Sequence, residues 1–235
     1  MKKILTIQDI SCVGKCSLTI ALPIISAMGI ETRILPTAVL STHTLFPGFT
    51  FRDLTEDIPK IADHWQSQNL DFDAIYTGYL GTTEQIDLII DLISRFKNPD
   101  NIVIIDPVMG DGGKLYPGFD QEYAKAMKKL VGYGDIIMPN LTEVALLLDR
   151  PGIYESYTKE DIEQALNDLC AMGCSKAMIT GVSLNEDMIG VYYHDKENGL
   201  FEFIENEKIE NHFHGTGDLF ASTIVGGLMR GLSLA

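Results

Sequence analysis

The stretch Asn101-Ile-Val-Ile-Ile-Asp106 is apolar at every position between its ends and closes on a carboxylate. A strand without polar alternation has both faces covered, and sheets of that kind are built from parallel strands joined by crossover helices. The rest of the chain keeps to this scheme. Ile4 to Ile7, Thr32 to Val39, Asp73 to Thr77, Asp135 to Met138 and Lys176 to Thr180 read as further short strands. Between them, Ser17 to Met28, Thr55 to Gln68, Thr83 to Phe96 and Tyr123 to Val131 carry apolar residues at helical spacing. A short helix follows Thr142, and Thr158 with Asp161 three residues on opens another in the manner of a capping box. Pro23 predicts a kink or a late start in the first helix. Met188 to His194 and Leu200 to Ile204, joined across Asp195 to Gly199, predict a hairpin at an antiparallel edge. No repeat or Pro/Ser linker divides the chain, so one α/β domain over residues 1–235 with small lid insertions is expected.

Charge removes several functions. With 33 acidic against 18 basic residues the formal net charge is −15, which speaks against wrapping nucleic acid or lying on an anionic membrane. No apolar run reaches the roughly 18–20 residues of a membrane span. The first strand-to-helix turn, Ile7 to Ser17, lacks the Gly-x-Gly-x-x-Gly of dinucleotide-binding folds. Lys15 lacks the spaced glycines and following Ser or Thr of a P-loop, so a surface or subunit-contact role is expected. Cys12, Cys16, Cys170 and Cys174 fall in two pairs of equal spacing. With no His beside either pair, free and mostly buried thiols in a reducing cytosol are the better reading than a metal site.

The polar residues at strand ends carry the chemistry. In an open parallel sheet, ligands bind beyond the carboxyl ends of the strands. Here Asp9, Thr44 in Ser41-Thr-His-Thr44, Thr77-Gly78-Tyr79, Asp106-Pro-Val-Met-Gly-Asp111, Pro139-Asn-Leu-Thr-Glu143 and Thr180-Gly181 all fall at such ends. Each alone has a plain structural reading: Asp-Pro starts turns, and Asn140 with Glu143 makes a helix cap with its box partner. Gly215-Thr-Gly-Asp218 then runs straight into an apolar helix. Glycines at a helix N-terminus let an anion approach unpaired N–H groups.

Taken in order, these motifs resemble the ribokinase-like superfamily, and within it the pyridoxal (vitamin B6) kinases. The resemblance runs from Ile4 to the end of the chain and rests most on Gly215-Thr-Gly-Asp218, Asp106-Pro-Val-Met-Gly-Asp111 and Asn140-Leu-Thr-Glu143. It implies a three-layer α/β/α sandwich with a mostly parallel central sheet. It also implies transfer of the ATP γ-phosphoryl group to the 5′-hydroxymethyl of a B6 vitamer, usually by a homodimer. Asp218 falls on the general base, and Gly215, Thr216 and Gly217 on the anion hole. Asp106 and Glu143 fall where the family manages Mg²⁺ and the phosphates. Asn140, Thr180 and Gly181 fall on nucleotide-binding positions, and Asp9, Thr44, Tyr79 and Asp218 on the acceptor side. A monovalent cation stays open beside Mg²⁺. No histidine base is implied, so His43 and His214 are expected to be hydrogen-bonded residues without a chemical step.

Two departures bear on substrate and affinity. Asp9 stands where the family commonly has serine, with Ser11 close by. That leaves pyridoxamine, pyridoxine or a hydroxymethylpyrimidine open as preferred acceptor. The chain also stops at Leu234-Ala235, where the family continues into a loop and helix covering the adenine, as a shorter variant or a truncated C-terminal end would. A hydroxymethylpyrimidine kinase of the same fold and a non-catalytic nucleotide-binding protein are the alternatives. The net charge does not exclude ATP, because backbone N–H groups, a helix N-terminus and Mg²⁺ can meet phosphate without a basic patch.

Overall fold

Short apolar runs become strands here because each has helices to cover it. The computed structural model describes residues 1–209 and 213–234. The chain packs as two compact units, one from residues 1–104 and 213 onward, the other from residues 105–212. The first opens with β1 (Lys3–Ser11), α1 (Leu18–Ala27), β2 (Glu31–Leu40), β3 (Phe51–Asp53), a 3₁₀ turn at Thr55–Asp57, α2 (Ile58–Ser67), β4 (Ala74–Thr77), α3 (Thr83–Phe96) and β5 (Ile102–Ile105). The strands lie in the order β5-β4-β1-β2-β3. β1 pairs in parallel with both β2 and β4, and β3 adds an antiparallel edge on β2. Ile4, Leu5, Ile7, Ile75, Ile86 and Ile89 are fully buried in this unit. Gln85, also fully buried, locks the loop after β4 in place: its Oε1 accepts from Gly81 N at 2.8 Å and its Nε2 donates to Thr37 O at 3.0 Å.

The second unit holds the small hairpin β6 (Gly110–Asp111) and β7 (Lys114–Leu115). It continues with α4 (Gln121–Val131), β8 (Ile136–Ile137), α5 (Leu141–Leu147), α6 (Lys159–Ala171), β9 (Lys176–Val182), β10 (Met188–Asp195) and β11 (Leu200–Glu207). Its sheet runs β8-β9-β10-β11, parallel at β8–β9 and antiparallel through the expected hairpin. Both α5 and α6 open with full capping boxes, Asn140 with Glu143 and Thr158 with Asp161. The chain then returns to the first unit as α7 (Thr216–Met229), which packs on α1.

Three local expectations change. Asp9 lies within the first strand rather than after it, because β1 resumes pairing with β2 past a bulge at which Asp9 faces Thr37 and Ala38. α1 starts at Leu18 rather than late and contains Pro23. The very short β3, β6 and β7 had no apolar signal to announce them. The four cysteines are free; Cys16, Cys170 and Cys174 are buried, whereas Cys12 is exposed.

One ion pair holds the base of the hairpin. Lys176 Nζ meets the buried Asp195 carboxylate at 2.6 Å, and Asn198 donates to the same oxygen at 2.8 Å. Burial pushes the Asp195 carboxyl up, but Lys176 and Asn198 outweigh it and hold it well below the usual carboxylate range. A depressed carboxylate stabilises the fold above its unfolded value, near 3.9, and loses that contribution as pH falls through the folded value. Lys176→Ala leaves the carboxylate buried and unpaired, at a cost of about 3 kcal/mol by urea unfolding at pH 7. The cost is expected to shrink below about pH 4, where the carboxyl of the variant takes up a proton.

Candidate active site

Each unit carries its own group of candidate residues. In the first, the α7 N-terminus is shaped by Gly215, held at φ 80°. A Cβ there would strike the Lys15 carbonyl, so only glycine fits. The first helical bond runs from Leu219 N to Gly215 O at 3.0 Å, which leaves the N–H groups of Thr216, Gly217 and Asp218 without a helical acceptor. Asp218 sits half-buried in this first turn. Burial pushes its carboxyl up to about 6; the Ser17 backbone N–H pulls the other way, and the charge of Asp9 adds to the rise.

Asp9 is the second carboxylate of this group, only 4% exposed. Ser11 Oγ donates to its Oδ2 at 3.1 Å. Burial raises its pKa, against the hydroxyls of Ser17 and Ser11 and the nearby His214. Tyr79, in the loop after β4, is raised to about 12, first by burial and then by the charge of Asp9. Cys16 is pushed up to about 11, again mainly by burial, with Asp9 and Asp218 both contributing. Asp9 is therefore close enough to Tyr79, Cys16, His214 and Asp218 for their charges to interact. The His43 and His214 ring centroids lie 4.2 Å apart with the planes tilted by 32°, and partial burial together with His43 lowers the His214 pKa, which disfavours its charged form. Thr44 is exposed in the turn after β2, and no hydrogen bond ties it to the others.

Ser17 was not singled out by sequence. It stands at the N-cap position of α1, held at φ 48°, and makes no side-chain cap bond to its own helix. A non-glycine residue in that region costs about 1–3 kcal/mol. Its hydroxyl and N–H serve Asp9 and Asp218 instead.

In the second unit the capping box of α5 is also the centre of the site. Glu143 is buried, and its carboxylate accepts from Met109 N at 3.1 Å and Asn140 N at 2.9 Å. Burial drives its pKa well up, the charge of Asp106 adds to this, and the backbone N–H groups of Asn140, Met109 and Gly110 oppose it. Asn140 Nδ2 donates to Gly110 O at 2.9 Å, and Thr142 Oγ1 accepts from Gly113 N at 2.9 Å, so α5 holds the β6–β7 hairpin in place. Thr180 bridges to Asn140 in parallel register, and Gly181 follows at φ 76°. These residues line a cleft of about 170 Å³ with Asp111, Gly112 and Tyr154. That is below the roughly 300–1,000 Å³ of whole-ligand pockets and suits a phosphate-sized group. A wider cleft, about 580 Å³, is lined by Glu186, Asp187, Glu207 and Lys208 and is an open acidic surface without the site residues. The roles of Thr142 and Tyr154 were not anticipated. Thr142 had the signal of a hydroxyl at a helix start; Tyr154, which would meet a Cβ at Gly113, had none.

Among the described residues, no group of three or more His, Cys, Asp or Glu could hold a metal unaided. Asp106 and Glu143 nevertheless fit a hard cation that also has phosphate oxygens to bind. They are two buried carboxylates that raise each other's energy, with no third protein ligand needed when the ion keeps waters and phosphate.

Residues 54–235 match the sequence model of the phosphomethylpyrimidine kinase family. The chain belongs to that family. Its relatives place it with the ribokinase-like pyridoxal kinases. A pyridoxal kinase of Arabidopsis thaliana is 28% identical over 95% of this chain and 73% of its own length. A Bacteroides thetaiotaomicron protein, provisionally named a phosphomethylpyrimidine kinase and crystallised with pyridoxal, is 43% identical. It superposes with a TM-score of 0.95 over 99% of this chain and 82% of its own. The pyridoxal kinase of Lactobacillus plantarum is 37% identical, with a TM-score of 0.91 over 100% of this chain and 83% of its own. The expected α/β fold, mostly parallel and flanked by helices, is thus the fold of pyridoxal kinases. Among the described residues, no helix is long and apolar enough to cross a membrane.

Proposed function

We propose that this chain, as one kinase domain over residues 1–235, transfers the γ-phosphoryl group of ATP to the 5′-hydroxymethyl group of a B6 vitamer. It is a phosphotransferase with an alcohol acceptor. The observation that carries this reading is Asp218, a carboxylate raised by burial to about 6, in the first turn of a helix whose N–H groups lack helical acceptors. At pH 7 it is ionised, the form a base needs. As the acceptor oxygen bonds to phosphorus and ADP leaves, Asp218 takes the hydroxyl proton. The N–H groups at Gly215, Thr216 and Gly217 stabilise charge on the equatorial oxygens, and positioning dominates because the transition state is loose. Asp9 and Tyr79 form the acceptor side, with Thr44 in the loop after β2. Asn140, Thr180 and Gly181 hold the nucleotide phosphates. Asp106 with Glu143 would hold Mg²⁺, which neutralises phosphate charge when bound.

Exposed apolar side chains at Leu45, Phe46, Phe49 and Phe51 support a homodimer. Four free cysteines support a cytoplasmic, reducing compartment. ATP consumption by the purified protein, run in parallel with pyridoxal, pyridoxamine, pyridoxine and hydroxymethylpyrimidine, tests the reading. Turnover with the vitamers is expected, lost on chelation of Mg²⁺ because the carboxylates then repel the nucleotide. Silence with all four acceptors, or turnover of the pyrimidine alone, overturns it.

A further inference from the structure

The acceptor side in the first unit has an unusual charge inventory. Asp9 is almost fully buried, and the bulge in β1 sets it opposite Thr37 and Ala38. Ser11 donates to it at 3.1 Å, yet among the described residues no Lys or Arg pairs with it. Asp218, within reach of its charge, is a second carboxylate. Among the described residues, the one cationic group whose charge acts on Asp9 is His214, and partial burial and His43 disfavour the charged form of that ring. Two neighbouring carboxylates without a fixed counter-charge are an expensive arrangement unless a ligand supplies the cation.

We propose that Asp9 is the specificity-determining residue of the acceptor site and selects an acceptor that carries a protonated primary amine beside its hydroxymethyl group. This rests on the kinase reading above. Among the B6 vitamers the 4′ substituent is an aldehyde, an alcohol or an ammonium, and it stands on the ring carbon next to the one bearing the 5′-hydroxymethyl. An ammonium there reaches Asp9 while the hydroxyl meets Asp218, matching two carboxylates that lie near each other. The ring nitrogen lies across the ring from the 4′ position, farther from the reacting hydroxyl, and is common to all three vitamers. It therefore gives no preference among them. Only the amine supplies both charge and hydrogen bond, and charge-assisted bonds are the strong ones.

The experiment is the ratio of kcat/KM for pyridoxamine to that for pyridoxal at pH 7, in the parent protein and in Asp9→Ser, Asp9→Asn and Asp218→Asn. The parent ratio is expected to be about 10–100. Asp9→Ser and Asp9→Asn bring it near 1, chiefly through KM for the amine. Asp218→Asn lowers both values and keeps the ratio. A parent ratio near 1, or a ratio unchanged in both Asp9 variants, overturns the proposal while leaving the kinase reading intact. A preference for hydroxymethylpyrimidine, whose ring amine is uncharged, also overturns it. Absence of turnover with every acceptor defeats the kinase reading itself.

Discussion

Asp218→Asn is expected to lower turnover by at least about 100-fold while leaving nucleotide binding largely in place. Asparagine keeps the shape and the helix position but cannot accept the proton of the acceptor hydroxyl. The parent enzyme should show the same group in its pH profile. A carboxyl raised from 3.8 to about 6 loses its charge as pH falls through that value, so kcat/KM should drop along an acid limb near pH 6. An ordinary carboxylate would place that limb about two units lower. Stability moves the other way. The folded pKa lies above the unfolded one, so the ionised form costs stability above pH 6, and asparagine removes that cost. A variant with little activity and a raised Tm separates lost chemistry from misfolding. Unchanged turnover removes Asp218 from the base role, and a lowered Tm contradicts the burial argument.

The parts legible in the sequence are those where local pattern and tertiary need agree. The run from Ile102 to Ile105 is apolar on both faces because both faces are covered, and its end at Asp106 is marked by the carboxylate and Pro107. Gly215-Thr-Gly-Asp218 announced a helix start because its backbone requires glycine at a positive φ. Other parts depend on partners distant in sequence. Gln8 and Asp9 look like the end of a strand. The ladder with β2 nevertheless resumes at Ile10, and Ser11 answers the carboxylate. The β6–β7 hairpin owes its position to Asn140 and Thr142, about thirty residues away, and its own residues carry no strand pattern. Asn140 with Glu143 reads both as a helix cap and as a site, and the fold uses it as a cap. The cap aims Glu143 at Met109 and Gly110, on the segment that begins at Asp106. Ser17 escaped notice because its hydroxyl serves a carboxylate rather than its own helix.

Gly215→Ala is expected to reduce turnover by about 100- to 1,000-fold, the scale of losing one backbone donor at a site of developing charge. Two independent costs fall on this methyl. The φ of 80° is left-handed, where alanine is strained by roughly 1–2 kcal/mol. The added Cβ also meets the Lys15 backbone carbonyl, which cannot swing aside as a side-chain end would. Lys15 and Ser17 belong to the same turn, so relief by moving that turn also disturbs the N–H facing Asp218 and the hydroxyl facing Asp9. The loop therefore either unwinds at the helix start or shifts both carboxylates. Gly217→Ala is the internal control, because a Cβ at Gly217 meets nothing within 4 Å and its φ is not left-handed. Its effect should be at least about tenfold smaller. Steady-state kinetics of the two variants, with thermal unfolding to confirm that both fold, decides the matter. Equal losses at the two positions would mean that crowding against Lys15 does not set the geometry of the anion hole.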